Sequence, residues 1–321
     1  MNNRSQATVV SFLALFITLL SWALGCLMYN SNTKDIQRNL VQVEYTDFIE
    51  NIRYGMHFGK KLESFYGMSE TLTETLQEHS GTEALRVIST DGEVLFQTDE
   101  TALPEKIASN VKSGIQTEAG KNYFFMLLTE NAYLLAEKDA AAMRSDLKAR
   151  YLKLGLVALA GLAAVELMIF LLWKLVRKGK LGYRLMIVVL TLWIIGFSSY
   201  VGVTTYSSYS ESIHTIENEI KSSIQTDEQT VEADGVNDDT VTDYEGYFSR
   251  YLENVPEIDD ISYGKDDELV ITRDAGYLRR MAVDYVLQTL LFLAFSAMIL
   301  TEYQMFMNGL SQEETEENTH A

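Results

Sequence analysis

Residues 154–204 read LGLVALAGLAAVELMIFLLWKLVRKGKLGYRLMIVVLTLWIIGFSSYVGVT. This stretch contains two apolar runs separated by a basic connector. Each run has the length of about 20 residues that a helix rising about 1.5 Å per residue needs to cross a hydrocarbon layer about 30 Å thick. The runs therefore predict transmembrane helices over residues 153–173 and 185–204, and the rest of the chain is placed relative to them.

The connector, residues 174–184, predicts the direction in which these helices cross the membrane. It contains five basic residues and no acidic residue: Lys174, Arg177, Lys178, Lys180 and Arg184. Short loops rich in Lys and Arg are retained on the cytoplasmic side. We therefore expect the connector to be cytoplasmic, and the chain on either side of the two helices to lie outside.

Two further apolar runs complete a prediction of four transmembrane helices. Residues 7–29 follow a polar cytoplasmic tip at residues 1–6, and residues 282–303 precede an acidic cytoplasmic tail at residues 304–321. The first run lacks the short apolar core and the clear cleavage site of a secretory signal, which favours an uncleaved helix. The expected location is a bacterial cell membrane, with a multi-pass chain and both termini cytoplasmic.

The composition argues against two kinds of function. A formal net charge of −19 at pH 7 opposes nucleic-acid binding, which needs clustered Lys and Arg. The single cysteine, Cys26, lies in an apolar run, so it offers neither an intrachain disulfide nor a cysteine-based metal site. A lipoprotein cleavage box ending at Cys26 is the minor alternative, because Leu24 fits that box poorly.

The segment between the first two spans, residues 30–152, is predicted to be an α+β domain outside the membrane. Its first part has apolar residues at helical spacing, which predicts a long amphipathic helix interrupted by glycines. Two β-rich runs then flank an Asp-Gly pair at residues 91–92, a combination typical of a tight hairpin. A short helix over residues 103–115 and a second hairpin about residues 130–131 follow, before a helix returns to the membrane.

Residues 58–67, in the leading helical part, read FGKKLESFYG. This segment, with the order of long helix, two strands, helix and two or three strands between two spans, resembles the extracytoplasmic cache or PAS-like sensory domains of bacterial membrane receptors. The resemblance covers about residues 30–150. It implies a small-molecule pocket between sheet and helices, and terminal helices that carry a signal through the membrane. The predicted fold class is an α-helical membrane protein with four transmembrane helices and an α+β cache/PAS-like extracytoplasmic domain.

Four side chains in the predicted strands are candidates for contacting a ligand. They are Arg86, Lys121, Tyr123 and Tyr133, chosen for their chemical type and strand position. In the alternative interpretation, Arg86 and Lys121 are solvated and the tyrosines belong to the core. The amino-acid-binding motif known from some cache domains is not found, so the class of ligand is left open.

Residues 205–281 are predicted to be a shortened, acidic second extracytoplasmic domain containing one hairpin. Paired aspartates occur at residues 238–239, 259–260 and 266–267. Their spacing does not match the Asp-x-Asp-x-Asp-Gly calcium loop, so a solvated acidic surface is favoured over a metal site. We expect no metal and no cofactor.

No P-loop, HExxH, nucleophile elbow or kinase signature is present, so an enzyme is not expected. The predicted cytoplasmic segments are also too short for a folded effector domain. We expect a sensory protein that binds an extracytoplasmic small molecule or partner and transmits a signal to another protein. A structural or assembly subunit with docking ectodomains is the alternative, and a transporter is a weaker third. Candidate partners are the lipid bilayer, a small-molecule ligand, a membrane or cytoplasmic signalling protein and a second copy of the chain, but not nucleic acid.

Glu166 lies well inside the second predicted span. An ionised carboxylate at the centre of a membrane helix costs roughly 2.5–3.5 kcal/mol on insertion scales, so we expect Glu166 to be protonated or paired within the bundle. Residues at similar depth on the other spans are Thr191, Trp193 and Ser296. The hypothesis is that Glu166 hydrogen-bonds across the bundle and couples the two ectodomain-bearing hairpins; the alternative is a protonated acid without that role.

The topology can be tested by labelling single cysteines introduced into a Cys26→Ser background. A cysteine at position 120 should react with a membrane-impermeant reagent in intact cells, because the first long loop is expected outside. A cysteine at position 179, in the basic connector, should not react. The reverse pattern would contradict the predicted orientation.

Overall fold

The computed structural model describes most of the chain. The described residues are 3–175, 180–233, 244–253, 255–264, 268–277, 279–280, 283–284, 286–288, 290–291, 294–295, 297–298 and 302. Two compact units are distinguished. The first, here called the membrane unit, comprises Met1–Asn30, Lys148–Ser208 and Arg279–Ala321; the second, the sheet unit, comprises Ser31–Leu147 and Tyr209–Leu278.

Among the described residues, three helices are long and apolar enough to cross a membrane, which indicates a multi-pass membrane protein. They are α1 (Asn3–Glu44), α5 (Ala141–Leu175) and α6 (Lys180–Ala233). Each contains one of the first three predicted spans and continues well beyond it. The predicted fourth span, residues 282–303, lies only in part within the described residues, so it stays a prediction.

The leading helical part of the sheet unit is divided into shorter helices instead of the long helix expected from its periodicity. After α1 come α2 (Thr46–His57), a 3₁₀ turn (Leu62–Ser64) and α3 (Met68–Glu78). Gly59 and Gly67 have φ angles of +84° and +81°, in the left-handed region that other residues rarely adopt. The glycines in residues 58–67 therefore break the helix, where an interruption within one helix was predicted.

Five strands form one antiparallel sheet in the order β2-β1-β5-β4-β3. Their bounds are β1 (Thr82–Ser89), β2 (Val94–Gln97), β3 (Gly114–Glu118), β4 (Lys121–Thr129) and β5 (Ala132–Asp139). The two predicted hairpins are confirmed as β1–β2 and β4–β5. The predicted helix over residues 103–115 is wrong in its extent: α4 covers Glu105–Ala108, and residues from Gly114 onward pair with β4 as β3.

The sheet is buried on both faces, because β1, β4 and β5 each contain runs of consecutive buried residues and successive side chains of a strand point to opposite faces. One face packs against α2, α3 and the end of α1. Its sheet residues are Leu85, Val87, Phe124, Met126, Leu128, Ala132, Leu134 and Ala136. The other face, here called the loop face, packs against the segment between β2 and β3 and includes Ile88, Tyr123, Phe125 and Leu135 in contact with Ile107.

The segment after the third predicted span contributes to the same compact unit as the segment between the first two. It contains the later part of α6, α7 (Tyr244–Leu252) and the hairpin of β6 (Ile258–Tyr263) and β7 (Leu269–Arg273), as predicted. Val43 of α1 is 1% exposed and belongs to a core formed by α6, α7, β6 and β7. The two stretches predicted as separate domains therefore share a core around α1.

Polar contacts reinforce this shared core. Asp47 of α2 accepts hydrogen bonds from Arg250 Nη1 at 2.6 Å and from the Tyr251 hydroxyl at 3.0 Å. Deeper in the unit, the buried Glu257 carboxylate accepts bonds from Asn39 Nδ2 at 3.1 Å and from the Tyr209 hydroxyl at 2.7 Å. Burial, together with the bond to Glu257, raises the pKa of Tyr209, so this hydroxyl keeps its proton.

Gly92, in the β1–β2 turn, provides a stability test with Gly81 as control. Their φ angles are +87° and +98°, so alanine at either position should cost about 1–2 kcal/mol of backbone strain. A Cβ at Gly92 would also overlap the carbonyl oxygen of Ala108, whereas one at Gly81 would meet nothing within 4 Å. Gly92→Ala should therefore destabilise the protein by a further ~1–3 kcal/mol.

Thermal unfolding of the full chain in lipid nanodiscs measures this difference. Equal shifts for Gly92→Ala and Gly81→Ala would contradict the close contact with Ala108.

The structure also improves the topology experiment. Gly120, the position named for the cysteine that is expected outside, has a φ of +90°, which strains any residue other than glycine. The exposed Lys112 is a less strained position for that cysteine.

Candidate functional site

The four residues predicted to contact a ligand lie on the loop face of the sheet. Tyr133 of β5 stands opposite Ile88, and Arg86 stands opposite Leu135. Lys121 and Tyr123 are two residues apart on β4, and Tyr123 stands opposite Glu137. Residues that stand opposite each other on paired strands share a face of the sheet, and so do residues two apart on one strand. The pairing register therefore places all four candidates on the same face.

Glu137 of β5 joins three of the strands on this face. Its carboxylate accepts a hydrogen bond from Arg86 Nη1 at 2.5 Å through one oxygen and a bond from Lys121 Nζ through the other. Arg86 also donates from Nη2 to Asp99 at 2.7 Å, and Lys121 lies 3.0 Å from Glu83. We call these five residues, Glu83, Arg86, Asp99, Lys121 and Glu137, the Glu137 cluster.

Burial differs sharply across the Glu137 cluster. The side chains of Arg86 and Glu137 are 1% and 4% exposed, whereas that of Lys121 is 39% exposed. A buried charge is tolerated when it is paired and hydrogen-bonded, which is the case for both buried residues. The cluster thus has a closed end at Arg86 and an open end at Lys121.

The ionisation of the cluster follows from these contacts. The bond to Glu137, followed by that to Glu83, raises the pKa of Lys121, so this amine remains protonated at neutral pH. Burial, and then the charge of Glu137, raises the pKa of Tyr123, which keeps its hydroxyl neutral. By formal charge, Arg86 and Lys121 contribute two positive charges and Glu83, Asp99 and Glu137 three negative charges, so the cluster has a formal net charge of −1. This balance disfavours an anionic ligand.

The structure divides the four candidates between the two interpretations made from the sequence. Arg86 is buried and paired, so the alternative of a solvated Arg86 is wrong. Tyr123 is 3% exposed and belongs to the core, which is what the alternative interpretation predicted for the tyrosines. Lys121 and Tyr133 are half-buried, and Tyr133 packs edge-on against Phe125 with ring centroids 6.3 Å apart.

Two atoms of the Glu137 cluster have unused hydrogen-bonding capacity. Arg86 Nε, a donor, and Asp99 Oδ1, an acceptor, are buried without a hydrogen-bond partner among the described protein atoms. Buried polar groups usually have partners, so these two atoms could accept a bond from, or donate one to, a water molecule or another bound polar group. A neutral molecule offering both an acceptor and a donor would satisfy them.

Sequence reasoning missed the three carboxylates of the cluster. Glu137 follows the buried Leu135 by two positions in β5, and this alternation was the available signal that it faces inward. Asp99 and Glu83 lie at the end of β2 and near the start of β1, where strand periodicity gives no such signal. Their approach to Arg86 and Lys121 depends on the pairing of distant strands.

The Glu137 cluster lies next to the junction between the sheet and a membrane helix. Strand β5 ends at Asp139 and α5 begins at Ala141, whose N–H donates to Asp139 Oδ1 at 2.9 Å. The adjacent Lys138 pairs with Glu44, the last residue of α1. Strand β5 therefore contacts the ends of both helices that lead from the sheet unit into the first two spans.

Glu166 is hydrogen-bonded to the first span. Ser11 Oγ of α1 donates to Glu166 Oε2 at 2.6 Å. Of the residues at similar depth, Trp193 of α6 donates to Thr18 of α1 at 2.9 Å and Thr191 donates to the carbonyl of Ile187, while Ser296 lies outside the described residues. The bond of Glu166 thus joins α1 and α5, the helices flanking the sheet. The coupling of the two ectodomain-bearing hairpins through Glu166 stays a prediction.

No family model, no curated protein and no solved structure matches the chain. In the part of the chain that the structure describes, no group of three or more His, Cys, Asp or Glu side chains is placed to hold a metal ion. The aspartate pairs at residues 238–239 and 266–267 lie outside that part. The chemistry of the Glu137 cluster is therefore the basis for a functional proposal.

Replacing Glu137 by glutamine should destabilise the protein strongly. The substitution removes the charge shared by Arg86 and Lys121, and breaking a buried ion pair costs roughly 3–5 kcal/mol. Glu118→Gln is the matched control, since Glu118 pairs with Lys106, whose side chain is 76% exposed, and such surface pairs contribute at most about 1 kcal/mol. Thermal unfolding in nanodiscs compares the two, and equal losses would contradict the importance of burial.

A double-mutant cycle of Ser11→Ala and Glu166→Leu tests the bond between α1 and α5. Interhelical hydrogen bonds in membranes contribute about 0.6 kcal/mol on average and about 1.7 kcal/mol at most, so a coupling energy in this range is expected. Pairing Glu166→Leu with Thr191→Val, whose hydroxyl bonds within its own helix, should give additive effects. The measurement is unfolding in nanodiscs, and coupling equal to that of the control pair would exclude the bond.

Proposed function

We propose that the protein is a membrane sensor whose sheet unit binds a small molecule or partner outside the membrane and passes the signal to another protein through the membrane helices. The observation that carries the proposal is the position of Glu137. This residue connects Arg86 with Lys121 on the loop face, and it is four residues before the start of α5. A change at the cluster thus reaches a membrane helix along one strand.

The pairing of β5 with its neighbours determines how a movement of Glu137 would be transmitted to α5. Strand β5 is central in the sheet and pairs with β1 and β4, so movement of β5 alone would break two ladders. A ligand that repositions Glu137 is instead expected to shift the central strands together with Asp139 and α5. Packed elements with two discrete arrangements are the usual means by which small changes are transmitted.

The cluster favours a neutral or cationic polar ligand. Its formal net charge of −1 opposes anions, and its unpartnered atoms, Arg86 Nε and Asp99 Oδ1, are one donor and one acceptor. The half-exposed Lys121 marks the side from which such a molecule would enter. The core around Tyr123 and Phe125 limits the ligand to a small molecule unless the segment between β2 and β3 moves.

The element order supports the resemblance to cache or PAS-like sensory domains. Helical segments, two strands, a short helix and three strands occur in that order between two spans. In such a receptor the helices flanking the sheet carry the signal, and the corresponding helices of this chain are α1 and α5. The resemblance therefore agrees with the proposal drawn from the Glu137 cluster.

A docking or assembly subunit is the second candidate, favoured by an exposed aromatic group. Tyr54, Phe58 and Tyr66 are 67%, 68% and 98% exposed, and the rings of Tyr54 and Phe58 lie 4.8 Å apart. Exposed aromatic side chains near one another are typical of protein interaction surfaces. In this alternative, residues 54–66 bind a protein, and the loop face is an ordinary core.

Fluorescence and melting experiments on the full chain in nanodiscs distinguish the two candidates. A fluorophore on Ser145→Cys, in a Cys26→Ser background, reports on the exposed first turns of α5. Neutral and cationic metabolites that raise the melting temperature should also change this signal, and Asp99→Asn should weaken both effects by altering the unpartnered acceptor. Lys106→Gln, away from the cluster, is the control.

A library that produces neither a melting shift nor a change at Ser145→Cys would contradict small-molecule sensing. Loss of a co-purifying protein in a Tyr54→Ser, Phe58→Ser variant, with the ligand response absent, would favour the docking role. A response retained in this variant but lost in Asp99→Asn would support the sensor.

A further inference from the structure

We infer that the membrane unit contains a binding site for a hydrocarbon molecule that bears one hydrogen-bonding oxygen and enters from the bilayer. The site is a cavity of about 370 Å³ formed by α1, α6 and described helical residues near the C-terminus. Among the lining residues are Leu24, Gly25, Ser198, Gly202, Leu291 and Phe295. This site is separate from the Glu137 cluster and does not depend on the proposed sensory function.

The cavity is large and partly open to the outside of the helices: Leu27 and Leu291, which line it, are 64% and 70% exposed. An apolar cavity of about 150 Å³ is already sufficient to bind benzene. A cavity of about 370 Å³ also falls within the range of roughly 300–1,000 Å³ that is usual for small-molecule sites. It has room for about two benzene-sized groups, or for part of an extended chain.

Ser198 supplies the polar feature that points to an oxygen-bearing ligand. The residue is 7% exposed, and its hydroxyl has no hydrogen-bond partner among the described protein atoms. Several other hydroxyls of the membrane helices donate to the carbonyl four residues earlier, a common arrangement for Ser and Thr in helices. The residues that do so are Ser21, Thr191, Thr204 and Thr205. Ser198 departs from this pattern where it lines the cavity.

A water molecule alone would leave most of the cavity unfilled. Water takes up about 30 Å³ in the liquid and needs two to four polar partners when buried. Apart from Ser198, the polar side chains of the lining are Ser21, whose hydroxyl already donates to Ile17, and Gln288. The remaining lining is apolar, so a molecule with a hydrocarbon body and one oxygen matches it better.

The position of the cavity along the helices agrees with entry from the bilayer. Ser198 is six residues before the predicted end of its span, or about 9 Å at helical rise. On α1, the lining extends from Leu20 to Met28, close to the end of the first predicted span at residue 29. Both helices therefore place the cavity in the half of the membrane from which they continue into the sheet unit, at a depth where lipid chains are the available solvent.

Photolabelling of the full chain in nanodiscs tests the proposal with two diazirine probes of equal length, a long-chain alcohol and the corresponding alkane. Gly202→Leu should reduce labelling of the cavity helices by both probes, because a Cβ at Gly202 meets nothing within 4 Å and a larger side chain would occupy the cavity. Gly196→Leu is the matched control: this exposed glycine of the same helix also has free space but does not line the cavity.

Ser198→Ala tests the hydrogen bond. It should reduce labelling by the alcohol about threefold, the effect of a typical hydrogen bond within a membrane, and leave labelling by the alkane unchanged. Gly202→Ala, which fills little space, should label like the unmodified protein and shows that the helix tolerates substitution. Labelling that is insensitive to Gly202→Leu, or a Ser198→Ala effect equal for both probes, would overturn the proposal.

Discussion

A peptide group inside hydrocarbon has no water to bond with, and this constraint determines the arrangement of the chain. Within the membrane every backbone N–H and C=O must be paired inside the same helix, so the apolar segments form helices without interruption. Those of α1, α5 and α6 extend past the membrane and become part of the sheet unit. Irregular backbone begins only where water can reach it, as at the glycines of residues 58–67. The sheet unit is therefore connected to the membrane unit through helices α1, α5 and α6, which continue without interruption from one unit into the other.

The sheet unit then uses the same few elements for several purposes. The end of α1 contributes to the core under the sheet through Val41 and to the core of α6 and α7 through Val43. Strand β5 pairs with two strands, carries Glu137 and ends at α5. Because each element belongs to more than one core, a local rearrangement affects several parts of the unit. This sharing is the physical reason to look for function at the contacts of β5 and α1.

Local patterns in the sequence were sufficient for the elements but not for their long-range partners. The length of the apolar runs predicted three helices that the structure contains, and the Asp-Gly pair predicted the β1–β2 hairpin. Strand β3 was partly assigned to a helix because its pairing with β4, not its own composition, makes it a strand. For the candidate site, residue type identified Arg86 and Lys121, whereas their pairing with Glu137, Glu83 and Asp99 depends on contacts between distant strands that local patterns do not contain. Ser11, the partner of Glu166, is likewise 155 positions away and was found only from the fold.

The shared core around α1 has a consequence for biosynthesis. The five-stranded sheet comes from one continuous stretch, so it can assemble as soon as residues 82–139 have been synthesised. Val43 and Asp47 meet their partners on α7 and β6 much later, because those partners follow the second and third helices that could cross a membrane. During that interval an apolar side chain and a carboxylate of the sheet unit lack these partners. A chain cut after α5 would keep them so, and would be a natural substrate for the quality-control proteases of the membrane.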